Sequence, residues 1–543
     1  MTLSPDTIIY NGKIQTMRSR SDVVEAIAIK GGKVISTGNN KDVTSLSGRK
    51  TIEIDIGGRL VLPGLIDTHT HLETIAEGMI NVNLKGARSI DEVLKTIEEN
   101  APDEPDKWVV SSFWHPFAQL REKRLPTRFD IDKVCPNNPV LLLTVGHIAI
   151  VNSRALEIAG MDKSSPDSNG NEIGRDPVTG NLNGVLQESA IRLVQRLIPP
   201  HNENDLQEKY VEVMGSYNES GITSIVTGAT TPQDLKIWEK LHSKGRMNLR
   251  VNLAFLPTGE EVPLASEEEF RSVLNEFNLS VPPDDRFLSL GYIKFVLDGG
   301  MTLKTAALRE PYPDDQENYG ILAMNQKRLN ALVSLCNRSS FRVGIHAVGD
   351  RAIDAVLEAY EGANQENSIV GKRFILIHGF LIRPDQIRRV SQMGILVATQ
   401  NVFMYEKAEV TERFLGEARS NFAIPARSII NGGIVVTGGS DADVNSFNPF
   451  LGIYQAVTRK SREGKVFGPE EKIGRWEALC MYTKWAALQT FEERLKGVLE
   501  PGKFADLIVT SSDILTCPEE EIKETQVIMT MVGGKIVYSA NKL

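Results

Sequence analysis

The chain has 543 residues, 41% of them hydrophobic and 24% charged, with a net charge of −9. That length carries two or three structural units, and the acidic balance argues against a nucleic-acid or anionic-membrane surface, which needs a basic stripe. No run of about 18 apolar residues is present to span a bilayer. Cys135, Cys336, Cys480 and Cys517 lack the CxxC spacing of a disulfide framework or thiolate zinc site.

In chain order, the start MTLSPDTIIYNGKI lacks the basic and apolar regions of a secretory signal. Short β runs then alternate with turns at Gly31-Gly32 and Gly57-Gly58. The far end repeats the pattern, with ADLIVTSS and QVIMTMVGGKIVYS. The economical arrangement is one small β-sandwich built from both termini, residues 1–60 and 490–543. Between them, eight apolar runs each precede a helix-like segment: GLIDTHTH, GITSIVTGA, LRVNLAFL, LGYIKFVLDGG, FRVGIHAVGD, RFILIHGFL, GILVATQNV and GIVVTGGSDADV. Continuous apolar strands alternating with helices predict an α/β fold, a (β/α)8 TIM barrel whose strand C-termini form the active site. A doubly wound sheet would carry a Gly-rich phosphate loop after its first strand, and none is present. Strand one falls in residues 61–75 and the rest of the barrel in 205–489. The gap of about 150 residues between the first two strands far exceeds what a βα unit needs, so an inserted α+β domain or lid is expected at 76–204. The last three residues, Asn541-Lys542-Leu543, are a loose likeness of a peroxisomal signal; the expected location is cytoplasmic.

Four of the eight histidines fall at predicted strand ends: His69 and His71 on the first, His346 on the fifth and His378 on the sixth. Asp441 ends the eighth strand and Lys294 lies within the fourth. Neutral imidazole and carboxylate suit zinc, iron, manganese or cobalt, and such a metal lowers the pKa of bound water towards about 7. A lone HxH pair is weak evidence; its recurrence with His, His and Asp around one barrel rim points to metal ligands. Lys294 in an apolar strand carries a desolvation penalty as a bare ammonium. It is either paired with a carboxylate such as Asp298, or converted by CO2 to an anionic carbamate that bridges two metals.

LPGLIDTHTHLE, the lysine of IKFVLDGG, GIHAVGD, ILIHGF and GGSDADV resemble the amidohydrolase superfamily. NNPVLLLTVGHIAIVNSRALEIAGM, GNLNGVLQESA, KTAALREPY and EPGKFADLIV are similar to its YtcJ-type, amidohydrolase-3 branch, which includes N-substituted formamide deformylase. The resemblance implies His69 and His71 on one metal, His346 and His378 on a second, and a carbamylated Lys294 as bridge. The two ions would be zinc, with iron, manganese or cobalt as alternatives. Asp441 would ligate the first metal and act as general base while hydroxide attacks an amide, N-acyl or formamide carbonyl. Mononuclear ring deaminases of this fold carry Glu three residues after the fifth-strand histidine, where this chain has Gly349; a deaminase is the alternative enzyme, and a non-catalytic scaffold is the remaining one. Outside the barrel, His147, Glu188, Trp114 and His115 are candidate substrate contacts. Expected partners are a small-molecule amide, with no nucleic acid and no membrane; a homodimer is compatible with the chain.

Overall fold

The computed structural model describes residues 4–112, 114–144, 147–166, 173–257, 268, 270–274 and 287–540. Eight strands form one sheet: β1 (Leu65–Thr70), β2 (Ile222–Thr227), β3 (Arg250–Phe255), β4 (Leu288–Val296), β5 (Val343–Ala347), β6 (Ile375–His378), β7 (Leu396–Thr399) and β8 (Val436–Gly438). They lie in chain order across the sheet, and every neighbouring pair is parallel. The edges β1 and β8 meet through side chains, nearly closing the barrel. Thr68 Oγ1 donates to Gly438 O at 2.9 Å, and Ser440 N donates to Asp67 Oδ1 at 3.0 Å. The eight apolar runs therefore are barrel strands, buried on both faces as a parallel sheet under helices demands.

Side chains alternate across each strand, and the apolar core divides accordingly. Leu253, Ile293, Ile345, Leu376 and Val397 belong to the large cluster packed with the helices. Ala254, Tyr292, Ile375, Ile377, Leu396 and Ala398 form a separate cluster within the sheet. The helices are set by local signals: Thr231 caps the helix Pro232–Ser243, with Pro at its start and Asp234 completing the capping box.

Both termini contribute to the six-stranded sheet of the sandwich, in the order Lys535–Ser539, Val527–Val532, Leu507–Thr510, Leu60–Pro63, Lys13–Gln15, Val23–Val24. A four-stranded sheet of Lys33–Gly38, Ala26–Lys30, Thr7–Tyr10 and Ile52–Asp55 accompanies it. Ile9, Ile27, Val61, Leu507 and Met529 share one core between the two sheets. The strand Leu60–Pro63 pairs within the sandwich, so the sandwich extends past residue 60, and only Gly64 separates it from β1. A buried ion pair, Arg250 Nε to Asp506 Oδ2 at 2.7 Å, ties β3 to the sandwich.

Between β1 and β2 lies a five-stranded sheet of Ile173–Arg175, Leu182–Gln187, Ile148–Val151, Val140–Thr144 and Val109–Val110, the α+β insertion expected from the spacing. Among the described residues no helix is long and apolar enough to cross a membrane. Asn541-Lys542-Leu543 lies outside the described residues.

Candidate metal centre

The rim residues converge. His69 is in β1 and His71 directly follows it, both turned onto Asp441: their Nε2 atoms lie 3.4 Å and 3.2 Å from Asp441 Oδ1. These three groups offer ligand atoms within 4.8 Å of one another, close enough to share one ion. The His69 ring also lies 5.3 Å from that of His378, and the His378 ring 4.3 Å from that of His346. His71 fits because residue 228 is glycine; a Cβ there would lie 2.3 Å from the imidazole Cε1.

Strand alternation explains two of these placements and fails for a third. Gly344 faces the Tyr292 ring, so Lys294 and His346, each two residues further along, turn to the same interior side. His378 has the parity of Leu376, which packs against the helix layer. Its φ of 72° rotates it into the site. Asp441 has a φ of 55°, and such left-handed geometry in a non-glycine residue costs of order 1–3 kcal/mol.

Outer partners decide which imidazole nitrogens face inward. The Gln400 side-chain amide donates to Ala398 O at 3.1 Å, so its Oε1 accepts the Nδ1–H of His378 at 2.6 Å. His378 Nε2 is then a lone pair. Asp298 accepts from the backbone N–H groups of Ala307, Val348 and Gly349 and stands 3.5 Å from His346 Nε2. His346 Nε2 has no hydrogen-bond partner among the described residues, while its Nδ1 lies within hydrogen-bond distance of His378 Nε2, at 2.9 Å. Buried imidazole nitrogens left without such partners, His69 Nδ1 and His346 Nε2, are a donor set that suits a cation, and outer hydrogen bonds such as that of Gln400 are how proteins orient metal-binding imidazoles. The residues therefore fit a divalent metal.

The electrostatics agree. Burial drives the His69 and His346 imidazoles well below their usual pKa, helped by Lys294 and, for His346, by His378. Burial likewise lowers His378 to about 4, so these imidazoles are neutral. Burial works to raise the Asp441 carboxyl, but hydrogen bonds from His69 and His71 and the surrounding imidazoles outweigh it and hold it well below the usual range. Burial lowers Lys294 to about 7 against the opposing pull of Asp441. Among the described residues no ion pair joins Lys294 to Asp298, whose oxygens are engaged elsewhere.

His147 of the insertion lines the same cavity as His346, His378 and Asp441, beside Met301, Leu303, Phe380 and Phe403. Its Nδ1 lies 3.1 Å from Glu188 Oε2. Burial works to lower its pKa, but the Glu188 carboxylate and more distant acids outweigh this and raise it. Trp114 and His115 sit apart, on a neighbouring cavity of about 360 Å³ that shares Val444 with the first. His115 Nε2 is 2.8 Å from Thr302 Oγ1, and Thr302 lines the inner cavity. Gln400, in the ATQN that ends the seventh strand, carries no sequence signal beyond being a polar residue directly after a barrel strand.

Residues 53–538 match the amidohydrolase family. The putative amidohydrolase YtcJ of Bacillus subtilis (strain 168) is 28% identical, over 98% of this chain and 99% of its own. The N-substituted formamide deformylase of Arthrobacter pascens is 27% identical, over 99% of each. Among solved structures, an uncharacterized metal-dependent hydrolase from Pyrococcus horikoshii OT3 superposes with a TM-score of 0.74 at 23% identity, covering 95% of this chain and 99% of that one.

Proposed function

The chain belongs to the amidohydrolase family, and from that premise we propose that it is a metal-dependent hydrolase of non-peptide C–N bonds in amides, N-acylamines or formamides. One observation carries the reading: His69, His71, His346, His378 and Asp441 converge, with Asp441 Oδ1 3.4 Å and 3.2 Å from the Nε2 atoms of His69 and His71 and the His378 ring 5.3 Å from that of His69 and 4.3 Å from that of His346. His69, His71 and Asp441 would hold one ion, His346 and His378 a second, with zinc, iron, manganese or cobalt all compatible with the donors. When bound, such ions polarise a carbonyl and acidify water.

The chain's own groups supply the rest. Asp441, held as a carboxylate, takes a proton from the attacking water and returns it to the departing amine nitrogen. Lys294, brought to about 7 by burial, has the uncharged amine that adds CO2 with loss of one proton, and the resulting carbamate would be an anionic bridge between the ions. Met301, Leu303, Phe380 and Phe403 form an apolar wall, suited to an uncharged substrate. The neighbouring relative's name, N-substituted formamide deformylase, is consistent with such a bond. The test is metal content by plasma mass spectrometry alongside amine release from a library of N-formyl and N-acyl amines. About two ions per chain, as in two-metal hydrolases, with amine release lost on chelation, is expected. A chain that cannot be loaded with metal and cleaves nothing overturns the reading; release of ammonia from ring amidines alone transfers it to deamination.

A further inference from the structure

We infer that His147, held in place by Glu188, is the residue through which the inserted domain contacts the substrate's scissile group. The inference rests on the hydrolase reading above. Ile148 pairs with Gln187 in the antiparallel sheet, so His147 and Glu188 each stand one residue beyond a paired strand end. Strand register thus makes them neighbours, and Glu188 N donates to His147 O at 3.2 Å. Glu188 Oε2 accepts from His147 Nδ1 at 3.1 Å, which turns the opposite ring edge away from the carboxylate. His147 Cδ2 lies 3.6 Å from where a Cβ of Gly300 would be, and Gly300 is itself a wall of the cavity. The ring stands 5.4 Å from that of His346. Among the described residues lining this cavity, His147 is the only one from the insertion.

Glu188 bears the marks of a residue kept for positioning. Its φ of 44° and ψ of −115° are backbone geometry that side chains rarely adopt. Its Oε1 is buried without a hydrogen-bond partner among the described residues. It is seated against Gly299, where a Cβ would lie 2.3 Å from that oxygen. A histidine–glutamate pair serving only to fill space needs neither the unusual backbone nor the orphaned oxygen. Glu188 is therefore a positioning residue acting through His147, whose Nε2 hydrogen-bonds the scissile group; support of this kind holds a contact residue in productive geometry.

The experiment is calorimetric binding of benzohydroxamate to the metal-loaded full chain, in wild type, His147→Ala, Glu188→Ala and Glu188→Gln, with metal content and melting temperature measured on each. Loss of a hydrogen bond to a buried group predicts roughly tenfold weaker binding for His147→Ala at unchanged metal content. Glu188→Gln, which keeps an oxygen for Nδ1–H, should bind more tightly than Glu188→Ala. Binding by His147→Ala at wild-type strength overturns the inference, as does loss of metal from that variant or a wild type that does not bind the probe. If the His147 effect is found but wild type releases no amine from any amide, the contact stands and the amide reading falls.

Discussion

Replacing Gly228 with alanine tests the geometry of the site directly. The new methyl would lie 2.3 Å from Cε1, 2.4 Å from Nε2 and 2.6 Å from Nδ1 of His71, about 1 Å inside ordinary contact between such atoms. Moving the ring away from the new methyl gives up its contact with Asp441, whose Oδ1 lies 3.2 Å from His71 Nε2. Overpacking of this kind costs about 1–3 kcal/mol, and the displaced imidazole should weaken metal retention. The control is Gly362, exposed in the helix Asp350–Glu366, where an added Cβ meets nothing within 4 Å. There the same substitution should stabilise by about 1 kcal/mol, since glycine is a poor helix residue. Thermal melting read by circular dichroism, with metal content on the same samples, gives both signs. Opposite shifts are expected, downward for Gly228→Ala and upward for Gly362→Ala. A Gly228→Ala protein that melts with wild type and retains all its metal would show that His71 does not occupy this position.

Burial lowers His115 to about 3, while an unfolded histidine titrates near 6.5. Between those values the unfolded chain takes a proton that the folded chain refuses, so stability falls as pH drops from about 6.5 towards 3, by up to about 4 kcal/mol. Urea melts across that window should show a shallower fall for His115→Gln; an unchanged slope contradicts the assignment. Asp506→Ala removes the carboxylate paired with the buried Arg250 guanidinium and should destabilise by about 3–5 kcal/mol; a loss under about 1 kcal/mol in denaturant melts would refute the role given to the pair. Chelation should lower the melting temperature, with recovery on zinc addition, since an ion at 100 times its Kd stabilises the folded state by about 2.7 kcal/mol. A melting curve indifferent to chelator and zinc would leave the metal centre without support.

Most of the barrel was legible because parallel strands covered by helices must be apolar throughout, and each polar residue interrupting them, from His69 to Asp441, had to have a reason. The insertion was legible as a spacing, through the long gap before GITSIVTGA. Its own sheet was not, because strands such as Val109–Val110 and Ile173–Arg175 are too short to show a period. His378 could be placed at a strand end but not aimed: alternation directs it outward, and only a left-handed backbone at that residue brings it in. Gln400 escaped for a related reason, and Asp298 reads in the sequence as a turn or supporting residue or as a partner for Lys294, not as a neighbour of His346. Both act by standing against an imidazole. That depends on contacts across strands, such as the one between Asp298 and His346, which no local pattern records. The pairing of His147 with Glu188 depends likewise on the register of two strands in the insertion.

The join at Gly64 has a consequence for how the chain reaches this state. The strand Leu60–Pro63 is one glycine away from the strand carrying His69, and its partner Leu507–Thr510 comes from the far end of the chain. Thr510 Oγ1 reaches Leu60 O across 450 positions of sequence. The opening ribbon of the barrel thus stays without its lateral support until residues 507–510 have left the ribosome. Contacts of such long range form late, since the loop they close must be ordered first. Assembly of the candidate metal centre should accordingly follow synthesis of that distant strand, and nascent intermediates that lack it should expose their β edges to chaperones.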